Sequence, residues 1–283
     1  MAYEFTLTYP SRRRFLSGSG LLVLGALAGG VAPFPLRALT RGVSDALSGG
    51  TAATRTEEAD SSAARALYRA VSAVRENGLI YIQDRHFQDS NVVRILDYVK
   101  NGFPDDYLND PATSRAARNF YLIIITSDTA PDYEGLPSSG PTYKTYQELT
   151  ATGIPFHFCT LRTKDRDPAE NGTKHGKVLL VDDAFCMIGS ANHNESGIWH
   201  DTEDMLSVRG TSREPLLKNF RTELIRTVLC GNMSDETSSA EGIFKNFTDQ
   251  LNKNVNAYLR KETQESLVFP YIPGRSVGSI PFS

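Results

Sequence analysis

The sequence is short of cysteine and tryptophan and has no surplus of positive charge, and each shortage removes a class of explanation. Its 283 residues include three cysteines, Cys159, Cys186 and Cys230. An odd number cannot all pair within one chain, and no two stand in a Cys-x-x-Cys spacing, so neither a disulfide framework nor a thiolate metal or redox centre is expected. Cys159 and Cys186 lie in apolar runs and read as core residues. Lysine and arginine total 30 against 33 aspartates and glutamates, a net charge of −3. Such a chain lacks the basic field with which nucleic-acid binders neutralise phosphates. What is present in ordinary measure is hydrophobic content, 40%, enough for one large domain or two small ones.

The N-terminus differs from the rest. Arg12, Arg13 and Arg14 are followed by Phe15 and Leu16 and then by a mildly apolar, Gly/Ala-rich run. At about fifteen residues the run is short for a stable bilayer span. The Ser-Arg-Arg-x-Phe-Leu order resembles a twin-arginine export signal, which implies a periplasmic or extracellular protein; the alternative is an uncleaved N-terminal membrane anchor. Residues 1–38 are read as the signal and residues 39–60, rich in Gly, Ser, Thr and Ala, as a linker. Loss of residues 1–38 removes four arginines and one glutamate, which takes the charge of the mature chain from −3 to −6.

From residue 61 the pattern turns regular. Ser61 or Ser62 caps a helix with Leu67, Val71 and Val74 on one face; "LIYIQ" follows as a strand. Ser90 is read as the N-cap of a second helix carrying Val92, Leu96 and Val99, stopped by Gly102, before the strand "FYLIII". A third helix ends at Gly153 ahead of "PFHFCT", and "KVLLVD", "FCMIGS" and "DMLSV" complete the strands. Strands alternating with helices predict an α/β fold, a mixed sheet flanked by helices on both faces. The main domain is read as residues 61–230. Residues 231–283 are read as a C-terminal extension: an amphipathic helix bearing Ile243, Phe247, Leu251, Val255 and Tyr258, then a Pro/Gly-rich tail over the surface.

The chemistry concentrates in "KHGKVLLVDDAFCMIGSAN", residues 174–192. His175 and Lys177 stand two apart at a strand start, so both side chains share a face. Ser190 and Asn192 are again two apart, after a strand that pairs with the first as a hairpin. The imidazole, ammonium, hydroxyl and carboxamide thus gather at one place, a set suited to phosphate. Lys177, Ser190 and Asn192 supply donors for phosphoryl oxygens. Neutral His175 is a competent nucleophile when a carboxylate fixes its tautomer, and Glu203, at the start of the next strand, is the candidate. Asp182, also placed in the catalytic set, is expected to support the site by a hydrogen bond or ion pair, with Asp183 facing solvent.

The pattern His-x-Lys-(x)4-Asp-(x)6-Gly-Ser-x-Asn, filled by His175, Lys177, Asp182, Gly189, Ser190 and Asn192, resembles the signature of the phospholipase D superfamily. Glu203 matches the acidic position that follows it. Upstream, "LIYIQDRHF" is similar to the strand preceding the second catalytic motif of two-motif phospholipases, with Gln83 and Arg85-His86 as departures. The resemblance covers roughly residues 61–229. It implies a phospholipase D-like half-fold, a covalent phosphohistidine intermediate, and no metal or other cofactor. It also implies two motifs per active site. His86, His157, His193 and His200 all lack a lysine two residues on, so this chain supplies one motif. A homodimer that brings two copies together completes the site; the alternative is a detached half with a different partner.

The remaining histidines receive lesser roles. His86 either lines the pocket and selects a head group or lies on the surface, His157 is structural, and His193 and His200 lie on the rim of the cleft. Trp199 either packs under its loop or touches lipid. The substrate expected is a phospholipid, which entails transient contact with a membrane surface; the alternative is nucleic acid cut by an endonuclease of the same superfamily. The acidic mature chain favours lipid.

Overall fold

A computed structural model describes residues 4–8, 62–102, 117–126, 140–161, 176–194, 197, 204–210, 215–233 and 238–271. Residues read above as signal and linker lie outside this set except for Glu4–Thr8, and so do His175, Trp199, His200 and Glu203.

Eight strands form one mixed sheet: β1 (Glu4–Thr8), β2 (Gly78–Gln83), β3 (Phe120–Thr126), β4 (Phe156–Leu161), β5 (Val178–Val181), β6 (Phe185–Gly189), β7 (Met205–Arg209) and β8 (Val268–Pro270). Their order across the sheet is β1-β7-β6-β5-β2-β3-β4-β8. The pairs β2/β3 and β3/β4 are parallel; every other neighbouring pair is antiparallel. Among the described residues five helices cover it: α1 (Ser62–Ser72), α2 (Ser90–Asn101), α3 (Pro141–Thr152), α4 (Leu216–Val228) and α5 (Ala240–Leu259).

The central strands read as unbroken apolar runs because both of their faces are buried. Ile80 and Ile82 of β2 join Leu67 and Val71 of α1, Leu96 of α2 and Leu149 of α3 in one core. Leu79 and Tyr81 point the other way, into a second core with Phe220 and Ile225 of α4 and Ile243 and Phe247 of α5. Helices therefore lie on both faces, as the α/β pattern predicts. Helix α2 starts one residue earlier in its capping than the serine suggests: Asp89 is the N-cap, and its carboxylate accepts from the backbone N–H of Asn91 at 2.7 Å. Gly102 and Gly153 end α2 and α3 at φ 104° and 72°, values that only glycine adopts cheaply.

The C-terminal segment is more deeply integrated than the sequence suggests. Helix α5 is the second layer of the domain, and the start of the apparent tail is strand β8, which pairs with β4. Asn254 of α5 explains the return. Fully buried, it donates from Nδ2 to the Ser266 carbonyl (3.0 Å), Ser266 Oγ (2.8 Å) and the Val268 carbonyl (2.6 Å), while its Oδ1 accepts from Glu265 N–H (3.0 Å). This pins the turn so that Val268 and Phe269 are buried.

Candidate active site

Register alone brings four chain ends together. Gln83 of β2 faces Val178 of β5, Val178 faces Ile188 of β6, and Gly189 of β6 faces Met205 of β7. Consequently Asp84, just past β2, Lys177, just before β5, Ser190, just past β6, and Asp204, just before β7, line one edge of the sheet. His175 and Glu203 precede Gly176 and Asp204 by one residue in the chain and lie outside the described residues.

Glycines allow this crowding. A Cβ on Gly189 would stand 2.2 Å from the Asp204 carbonyl oxygen and from Met205 Sδ, so only glycine lets β7 approach there. A Cβ on Gly176 would stand 2.7 Å from Gln83 Nε2, which places that carboxamide directly against Gly176. Tyr81, wholly buried, orients the amide by donating its hydroxyl to Gln83 Oε1 at 2.9 Å. Burial holds the Tyr81 phenol far above its usual pKa, so it stays a donor.

Lys177 is 5% exposed, an unusual burial for an ammonium. Ser190 is exposed, but its hydroxyl is already engaged: Oγ accepts from the Asp204 N–H at 3.0 Å, and the Ser190 N–H donates to the Asp204 carbonyl at 3.0 Å. The serine thus ties β6 to the residue that follows Glu203. Asn192 is half-buried, and its Oδ1 is a buried acceptor without a partner among the described residues. His86 lies half-buried on the turn after β2, at the same edge, its N–H donating to Asp84 Oδ1 at 2.6 Å.

Asp182 is not part of this group. It stands at the other end of β5, five residues and about 17 Å of extended chain from Lys177. Its carboxylate, buried, accepts from Arg75 N–H (2.9 Å), Arg75 Nε (3.2 Å) and Leu79 N–H (2.9 Å). A Cβ on Gly78 would lie 2.3 Å from its Oδ1, so glycine admits it. Its support is given to the turn between α1 and β2, at the opposite end of β5 from Lys177. Asp183, expected in solvent, is only partly exposed and pairs with buried Arg221 of α4 at 2.8 Å. Burial lowers the Arg221 pKa and Asp183 opposes that shift.

Two residues escaped sequence reasoning. Asp84 and His193, each 1% exposed, are joined through Asp84 Oδ2 and His193 Nδ1 at 2.5 Å. His193 is therefore in the interior rather than on a rim. The one local signal was Asp84 itself, a carboxylate closing an apolar strand. His157 is structural in its contacts: its ring stacks on Phe244 with centroids 4.0 Å apart, and Nε2 donates to Thr248 Oγ1 (2.9 Å) and the Phe244 carbonyl (3.1 Å).

Residues 93–228 match the family model described as "Cardiolipin synthase, PLD-like domain". The match runs from α2 to α4 and includes every position of the signature. Among solved structures the chain is similar to NucT from Helicobacter pylori, at 20% identity over 58% of this chain and 88% of that one, with a TM-score of 0.37. It is also similar to Nuc from Salmonella typhimurium, described as a phospholipase D family member, at 15% identity over 58% and 85%, TM-score 0.37. Phosphatidylserine synthase from Haemophilus influenzae is similar at 13% identity over 71% and 44%, TM-score 0.36. Among curated proteins no sequence matches the chain.

Proposed function

We propose that this chain, whose residues 93–228 match a PLD-like domain model, is an exported phosphodiesterase of the phospholipase D superfamily that cleaves a phospholipid through a phosphohistidine on His175, in a site completed by a second copy of itself. The observation that carries the reading is the convergence of Gly176-Lys177, Ser190, Asn192 and Asp204 at one sheet edge, with a buried lysine among them.

The roles follow from the chemistry of the groups. Neutral His175 attacks phosphorus, forming the N–P bond as the P–O bond to the leaving alcohol breaks. Lys177 and the Asn192 amide N–H group hold the phosphoryl oxygens as charge builds on them. Glu203 takes the hydrogen bond of the other imidazole nitrogen and keeps the attacking one unprotonated. His175 of the partner subunit gives its proton to the departing alkoxide, then takes one from the water that attacks phosphorus and frees the first histidine. One diester and one water become one monoester and one alcohol. Gln83, against Gly176, offers an amide where the resembled strand carries an acid, so the segment is steadied without a further carboxylate near the phosphate.

The test is turnover of the purified mature chain on phosphatidylcholine vesicles and on plasmid DNA, each with chelator. Expected are release of the head group from the vesicles and intact plasmid. In refolded mixtures with His175→Ala, the shared site requires activity to fall with the square of the wild-type fraction. Plasmid cleavage without lipid turnover would overturn the substrate, and a linear fall would overturn the shared site.

A further inference from the structure

We infer that Asp84 and His193 form a buried positioning pair that locks the Gly-Ser-x-Asn turn to the end of β2 and thereby sets Asn192 for the phosphate. Its effect on turnover rests on the phosphodiesterase reading; the lock itself does not. Asp84 also lies outside the stretch 93–228 that matches the family model.

A carboxylate buried to 1% exposure is costly unless its oxygens are satisfied. Those of Asp84 are: Oδ1 accepts from the His86 N–H (2.6 Å), and Oδ2 accepts from both the His193 N–H (2.7 Å) and His193 Nδ1 (2.5 Å). The His193 carbonyl in turn accepts from the N–H groups of Gln88 (2.8 Å) and Asp89 (3.1 Å). Residue 193 is thus tied through its amide, ring and carbonyl to a turn 109 positions away in sequence. The ring lies beside fully buried Phe87, with centroids 6.3 Å apart.

The arrangement specifies what the imidazole is for. A carboxylate can only accept, so the proton sits on Nδ1. Nε2 is buried and has no partner among the described residues. Histidine here supplies one directed N–H and a flat ring, and is a positioning residue. On the other side of the turn, Ser190 is tied to Asp204 through its amide and hydroxyl. Only Ala191 and Asn192 lie between the two ties, so the carboxamide of Asn192 is held by both. A catalytic group displaced by about 1 Å loses on the order of a hundredfold in rate.

Two substitutions separate this role from others. His193→Asn keeps a donor where Nδ1 stands and deletes Nε2; His193→Leu fills the space and removes the donor. Amide hydrogen exchange at residues 190–192 and vesicle turnover are measured for both. Expected for His193→Leu are lost protection and a kcat reduced by roughly ten- to a hundredfold at near-constant KM, while His193→Asn restores both. Wild-type protection in His193→Leu would overturn the lock. Loss of turnover in His193→Asn with protection intact would overturn the positioning role in favour of chemistry at Nε2. Should His193→Leu not fold, Asp84→Asn, which loses acceptors for the same N–H groups, carries the same expectation. A wild-type protein that protects residues 190–192 yet cleaves no phosphodiester would refute the function and leave the lock standing.

Discussion

Lys177 and Asp182 flank the four residues of β5 and do unrelated work. One lies at the sheet edge shared with Ser190 and Asp204; the other holds the α1–β2 turn through three hydrogen bonds. A signature read as one catalytic string therefore divides into a site end and a scaffold end. His157 shows the same division between residue type and role. Burial lowers its pKa from the ordinary 6.5 to about 4, with the hydrogen bond to the Phe244 carbonyl opposing the shift. Because the folded value is the lower one, the unfolded chain binds this proton first as pH falls. The stabilisation is complete above about 6.5 and is lost as pH drops through about 4, with a ceiling of roughly 3 kcal/mol. Urea midpoints between pH 7 and pH 4 should fall less in His157→Gln, which keeps a donor for Thr248 and does not titrate. An identical fall in both proteins would assign the acid sensitivity to other groups.

At the scale of elements, the glycine that ends β6 carries more than a turn. In Gly189→Ala the new Cβ meets the Asp204 carbonyl at 2.2 Å, backbone that cannot swing aside. Separation of β6 from β7 should cost about 1–3 kcal/mol or more in denaturant unfolding. It should also reduce turnover beyond what the lost folded fraction explains, since Glu203 precedes that contact. Unchanged stability would contradict the packing. The central strands were legible because "LIYI" and "FYLIII" are buried on both faces, and the helices because their stripes repeat at 3.6 residues. Strand β8 was not, since three residues carry no periodicity and its placement is decided by Asn254 on another element. Likewise the spacing from Lys177 to Ser190 and Asn192 disclosed that these residues gather at one sheet edge, because hairpin pairing is local. The Asp84–His193 contact joins distant segments, and no local pattern announces it.

For the whole molecule, one sheet serves two purposes. Its two cores hold five helices, and a single edge collects the ends of β2 and β6 with the starts of β5 and β7. The sequence provides one His-x-Lys pair, so the proposed reaction couples chemistry to self-association: each copy is nucleophile in one encounter and acid in the other. All of this depends on a covalent bond at one atom. The most direct measurement is rapid quenching of the wild-type protein during turnover, followed by peptide mass spectrometry at alkaline pH. An acid-labile phosphoryl or phosphatidyl adduct on His175, absent from His175→Ala, is the result the account predicts. Turnover with no adduct on His175, or with the adduct on another residue, would contradict it.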